Sequence, residues 1–288
     1  MKRYLLVGVA VILGHTLARA AGLKIAHYER SLQPGEVVLL TVESPRPLQD
    51  VEAVAFGKRF PFYSGSKPEV WHGLIGIDPE SRAGRCRVRI LTTRVDGTSA
   101  QDDYFLEIKS KVFPTRRLSV DERYVTPPQE VEERIRAEAR RVEGIFSAPR
   151  SRRLWQGPFI VPVPAPASSG FGRRTVFNGQ PRSPHWGTDF DAGPGTPIKA
   201  PNSGRVVLAS DLYFSGNAVI IDHGQGLYSY LAHMSEISVR EGADVQTGEV
   251  VGKVGATGRV TGPHLHWTVR LSGIRVDPLS LVAALAGK

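Results

Sequence analysis

A single cysteine in 288 residues, Cys86, excludes an internal disulfide and any cysteine-rich zinc site. It lies in the alternating run "GRCRVRIL" and reads as a small buried hydrophobe. Long hydrophobic runs are missing after the N-terminus. No later segment offers the roughly 20 apolar residues that a spanning helix needs. The helix-borne His-Glu-x-x-His pair is absent too, which excludes the zincin arrangement. Positive charge is plentiful but scattered, so the electrostatic stripe expected of a nucleic-acid binder is lacking.

The first twenty residues form a unit of their own. Lys2 and Arg3 precede the apolar stretch Tyr4 to Gly14, and Ala18-Arg19-Ala20 supplies an A-x-A cleavage site. This is the pattern of a secretory signal peptide cut after Ala20. The apolar run is too short to serve as a membrane anchor. The expectation is an exported protein, periplasmic or extracellular, with the periplasm favoured. No transmembrane segment is expected after cleavage. The formal charge of +9 falls to +6 when Lys2, Arg3 and Arg19 leave with the signal. A basic exported chain is drawn to anionic surfaces such as cell wall, not to nucleic acid.

Residues 21–112 alternate short β-branched runs with turns, among them "EVVLLTVES", "RCRVRILTTR" and "DDYFLEIKS", with Asp96-Gly97 as one turn signal. This spacing predicts a small β-sandwich. Residues 113–154 read as a linker with one helix. Thr126 is the expected N-cap, Pro127 the first helical position, and Gln129 stands three after the cap. Val131, Ile135, Ala139, Val142 and Phe146 then form one apolar stripe. The charged remainder marks a linker helix docked on a domain. Residues 155–288 open on the Pro-rich "FIVPVPAPASSGFG" and continue as strands cut by glycines, with no long amphipathic helix. The fold class expected is all-β, with two β modules and a helical linker.

Chemistry concentrates in the last part. Five of the eight histidines fall between residues 185 and 266. His185 and Asp189 stand four apart in "SPHWGTDFDAG", and an imidazole with a carboxylate suits a borderline cation such as zinc. A catalytic zinc keeps three protein ligands and one open position, so a further ligand must come from elsewhere. In "GPHLHW", His264 and His266 share one face if the stretch is a strand. One of this pair, His266, can complete the ligand set while the other faces the reacting water. His233, in "YSYLAHMSEI", adds another imidazole able to orient or deprotonate that water. His223 reads as a structural strand-end histidine, Asp191 as a turn residue or a neighbour of the ligands. Tyr228, Tyr230 and Trp267 read as packing or groove wall, and Asn178-Gly179 as a turn.

His185-x-x-x-Asp189, His233 after Tyr-Leu-Ala, and His264-Leu265-His266, with the glycines of "HGQGLYSYLAH" and "GEVVGKVGATGRVTGPHLHW", resemble the lysostaphin/LytM-type zinc metallopeptidases. The resemblance covers about residues 155–282. It implies a compact all-β domain with one zinc ion per chain, held by His185, Asp189 and His266. It also implies that His233 and His264 are the catalytic pair. The expected activity is that of an exported zinc metalloendopeptidase that cuts the stem-peptide cross-links of bacterial peptidoglycan. Two alternatives keep the same fold: a non-catalytic cell-wall-binding or hydrolase-activating protein, and a zinc peptidase acting on glycine-rich proteins.

Overall fold

In the computed structural model, which describes residues 18–19, 22–118, 128–181 and 183–286, the β-branched runs between turns become strands. The fold is all-β, with two α-helices among the described residues. The expected signal peptide lies outside the described residues except for Ala18–Arg19, which pair in parallel with Ala100–Gln101. No helix among the described residues is long and apolar enough to cross a membrane.

The first sheet runs Ala18–Arg19, Ser99–Ile108, Gly84–Arg94, Leu48–Ala55, Lys58–Ser64, Val70–Gly76, Val37–Glu43, Lys24–Glu29. Lys58–Ser64 is its corner. Phe60 is opposite Ala53 on one neighbour, and Phe62 is opposite Gly73 on the other. One strand thereby joins two flanks that close over Val37, Leu39, Val51, Phe60, Ile75 and Ile90. Cys86 is half-buried there, less covered than the alternation implied.

The second sheet has ten strands. Its central path is Ala167–Ser169, Thr188–Phe190, Leu265–Leu271, Leu227–Ile237, Gly216–Gly224, Gly204–Leu212, Asp244–Val245. Two of its connections, Gln225-Gly226 and Ser272-Gly273, are two-residue hairpin turns with both φ positive, as is Asn178-Gly179 between Arg174–Phe177 and Gln180–Pro181. Such turns match the twist of the strands they join. Odd-numbered residues of Leu265–Leu271 are buried, and His266, Thr268 and Arg270 face the other way.

That second face is partly roofed. The helix Glu132–Ser147 sets Phe146 against Tyr228, ring centroids 5.2 Å apart, over Leu208, Leu212, Ala218 and Ile220. The expected cap, Thr126 with Pro127, lies outside the described residues; Gln129–Val131 form a 3-10 turn before the α-helix begins. Of the apolar stripe, Phe146 is buried while Ala139 is exposed, so docking is concentrated at the C-terminal end.

Two features were not expected from the sequence. Thr115–Leu118, just beyond the first sheet, pair in parallel with Arg174–Phe177, which also pair with Gln180–Pro181, making a small third sheet. A second helix, Pro278–Leu285, is capped by Asp277, whose side chain accepts from the Leu279 amide. This helix bonds back to the first sheet, where the Val37 amide donates to Ser280 Oγ at 2.7 Å. Arg30 reaches both Glu36 at 2.7 Å and Asp277 at 2.6 Å. The main buried cluster runs without a break from Val37 and Phe60 through Trp155 and Leu271 to Val276 and Leu285.

Candidate metal centre

The centre is assembled by strand register. Asp189, on Thr188–Phe190, is directly opposite His266 on Leu265–Leu271, and His266 is opposite Ala232 on its other side. Directly opposed residues share a face, so the carboxylate and the imidazole meet. Asp189 Oδ1 lies 2.8 Å from His266 Nδ1. His185, at the end of the preceding loop, brings Nε2 to 2.9 Å from Asp189 Oδ1 and 3.0 Å from His266 Nδ1. These three residues each offer one ligand atom, all within 4.8 Å of one another.

His264 precedes the strand and bridges Gly255, its amide donating to the Gly255 carbonyl at 3.2 Å. Its Nε2 is 3.7 Å from Asp189 Oδ1, so both histidines of the pair face one centre, as alternation requires. His233 is at a register shift of Leu227–Ile237 with φ of 67°, a left-handed conformation unusual for a non-glycine residue. The irregularity turns its ring towards the pair: centroids are 4.9 Å from His264 and 5.9 Å from His266. All five residues singled out in the sequence therefore converge.

Each ring is held by its other nitrogen. His185 Nδ1 donates to the Gly170 carbonyl at 3.2 Å, His233 Nδ1 to Thr257 O at 3.0 Å, and His264 Nδ1 to Gly262 O at 2.9 Å. A carbonyl only accepts, so these contacts place a proton on Nδ1 and turn Nε2 towards the centre. His266 is turned the other way: Nδ1 faces the centre and Nε2 meets Thr268 Oγ1 at 2.9 Å. Outer partners of this kind fix ring orientation around a metal.

Charge follows the same plan. Burial opposes ionisation of Asp189, yet its close contacts with His185 and His266 hold its carboxyl well below the usual carboxylate range. Burial lowers the pKa of His266 against the pull of Asp189. Burial, then the neighbouring His266, brings His233 down to about 4. An ionised carboxylate with deprotonated imidazole nitrogens is the state that binds a cation. Two imidazoles and one carboxylate fit zinc in chemistry and in number, with room for a fourth position.

Gly187, between His185 and Asp189, is part of this packing. A Cβ there would stand 2.6 Å from His266 Cε1 and 2.7 Å from Trp267 O. Sequence reasoning did not single out Gly187, Thr268 or Thr257. The glycine between two ligand candidates was the one available signal. Other residues considered in the sequence stand apart. His223 is fully buried, with Nδ1 against Ser203 O at 2.8 Å and Nε2 against Ser229 Oγ at 2.9 Å. Asp191 is exposed. Tyr230 donates its hydroxyl to Ser215 at 2.7 Å, and Tyr228 and Trp267 are buried.

Comparison with known proteins agrees with this geometry. Peptidase family M23 matches residues 183–278, a span that contains all five residues. A crystal structure described as a peptidase M23 from Pseudomonas aeruginosa is 31% identical, covers 88% of this chain and 96% of that one, and superposes with a TM-score of 0.68. The chain belongs to peptidase family M23. DD-carboxypeptidase/endopeptidase Mpg of Neisseria meningitidis is 44% identical over 97 residues, 34% of this chain and 22% of that protein. Peptidoglycan DD-endopeptidase ShyA of Vibrio cholerae is 39% identical over 113 residues, 39% of this chain and 26% of that protein. The chain thus spans about a quarter or less of these curated relatives.

Proposed function

We propose that this chain is an exported zinc endopeptidase that hydrolyses peptide cross-links of bacterial peptidoglycan, with residues 155–288 as the peptidase unit. The observation that carries the reading is the convergence of His185 Nε2, Asp189 Oδ1 and His266 Nδ1 beside two further imidazoles. In this reading His185, Asp189 and His266 hold the zinc, and His233 and His264 are catalytic. Zinc, when bound, supplies a Lewis acid for the scissile carbonyl and lowers the pKa of water to about 7. His233 Nε2 and His264 Nε2 are the free nitrogens that accept and return protons there. The Thr257 and Gly262 carbonyls keep those rings in one tautomer. The same rings, once protonated, stabilise the oxyanion of a tetrahedral intermediate.

The likeness to the peptidoglycan DD-endopeptidase ShyA and to the DD-carboxypeptidase/endopeptidase Mpg supports the substrate class, and a wall substrate together with the A-x-A leader supports export to the periplasm. The complete donor set supports an enzyme over a wall-binding protein. The test is mass spectrometry of muropeptides after digesting purified peptidoglycan with zinc-loaded residues 21–288, beside a His266→Ala variant. Loss of cross-linked dimers with the parent alone is expected. Intact dimers with both proteins would refute the reading.

A further inference from the structure

Three features of the loop before His185 are explained neither by the metal nor by the hydrolysis. The loop is bound to its own ligand residue: the Gly172 amide donates to His185 O at 2.7 Å, and the His185 amide donates to Arg173 O at 2.9 Å. With the His185 Nδ1 bond to Gly170 O, residues 170–173 set both the backbone and the ring of the ligand. The same loop is then held from outside, by the chain leaving the first sheet. Phe113 lies against Gly172 so closely that a Cβ there would collide with its ring. Its ring centroid is 6.2 Å from that of Phe171, which is 5.4 Å from Trp186, the residue after the ligand. Phe171 in turn is seated on Gly35, in the turn that leads into Val37–Glu43 of the first sheet, where again no Cβ fits. Beyond Phe113 the strand Thr115–Leu118 continues the contact: the Arg174 amide donates to Pro114 O at 2.9 Å, and Arg174–Phe177 pair in register with it.

We infer that the metal site is completed across the two halves of the chain: Phe113 and the strand after it are positioning elements for His185. This rests on the reading of His185 as a zinc ligand. A loop anchored only by its own turn would sample several ring positions. Metal-ligand distances tolerate only about 0.2 Å, so a loosened loop weakens binding before it affects anything else. Partners one step removed from a ligand typically change metal affinity by 10–100-fold. The first sheet is thereby given a role that requires no contact with substrate.

The experiment uses residues 21–288 and reads metal binding, not hydrolysis. Zinc affinity is measured by chelator competition, and cobalt substitution reports ligand geometry through its visible spectrum. Phe113→Ala is expected to weaken zinc binding by about tenfold or more and to alter the cobalt spectrum. Phe113→Leu, which keeps most of the apolar contact, is expected to restore both. Arg116→Pro removes a backbone donor from the clamping strand without touching Phe113. It is expected to weaken binding as Phe113→Ala does, and it decides the matter if the alanine variant does not fold. Arg30→Ala loosens a different contact between the halves and is expected to lower Tm with zinc affinity unchanged. Unchanged affinity in both Phe113→Ala and Arg116→Pro would overturn the inference. So would a loss in Arg30→Ala equal to theirs, because that would mark general loosening. A wild-type protein that binds no zinc would instead sink the reading of the site itself.

Discussion

Replacing Gly187 with alanine puts a methyl group where there is no room for one. The new Cβ would lie 2.6 Å from His266 Cε1, 2.8 Å from His266 Nε2 and 2.7 Å from Trp267 O. Ordinary contacts begin near 3.4 Å, so the His266 ring must give by about 0.8 Å. Trp267 is fully buried and its carbonyl is part of a strand pair with Thr188, which leaves the imidazole to move. That ring is fixed between Asp189 Oδ1 at 2.8 Å and Thr268 Oγ1 at 2.9 Å, so a shift of this size breaks one of those contacts. Metal bonds tolerate about 0.2 Å, several times less than the displacement required. Zinc affinity is therefore expected to fall by about 100-fold, at the upper end of effects seen for groups next to a ligand. Stability is expected to fall by about 1–3 kcal/mol, as for overpacking elsewhere. Gly187 φ is not in the left-handed region, so backbone strain does not contribute. Chelator competition and thermal melting of the zinc-free protein read the two effects separately. Wild-type zinc affinity in Gly187→Ala would refute the steric argument.

His233→Ala should keep zinc affinity near the parent value, because His233 is outside the donor triad, while hydrolysis drops by about 10²–10⁴-fold; equal loss of both would make His233 a ligand. Burial lowers the His223 pKa to about 4 against 6.5 for a free imidazole. Between those values the unfolded chain binds the extra proton and the native protein does not. Stability is thus complete above about pH 6.5 and declines by roughly 3 kcal/mol as the pH falls to 4. Urea unfolding across that window measures the slope, and the His223 share should survive in His233→Gln; a flat profile in that variant would contradict it. Phe146→Ala removes the main apolar anchor of the helix Glu132–Ser147 and should cost about 3 kcal/mol, read as a lower urea midpoint. An unchanged midpoint would mean that the helix docks through its ion pairs instead.

The parts of the site legible in the sequence are those governed by period and spacing. Alternation placed His264 and His266 on one face, and the four-residue step from His185 to Asp189 fits a loop entering a strand. Thr268 and Gly187 escaped notice because their roles depend on which strands are neighbours: Gly187 matters only once Leu265–Leu271 lies beside it. Thr115–Leu118 escaped for a related reason. Its partner is nearly sixty residues away, and parallel pairing needs no local turn to announce it. The helix Pro278–Leu285 carried an Asp-Pro start signal, but eight mostly buried residues are too few to show an amphipathic period. The two-residue turns at Gln225-Gly226 and Ser272-Gly273 lack the Asn or Asp that made Asn178-Gly179 readable.

The unbroken buried cluster has a thermodynamic consequence. Where two modules meet through a wet seam, each can open without the other. Here Gly76 of the first sheet abuts Val276, and Tyr63 packs edge-on against Trp155 at 5.0 Å. Opening one half would bring the apolar surface of the other into water. Fluctuations of the first sheet are therefore expected to reach the strands that carry Asp189 and His266, and urea unfolding is expected to show a single transition. Cutting the chain near residue 155 would strip Trp155 and Val276 of these neighbours and bring that part of the core into water.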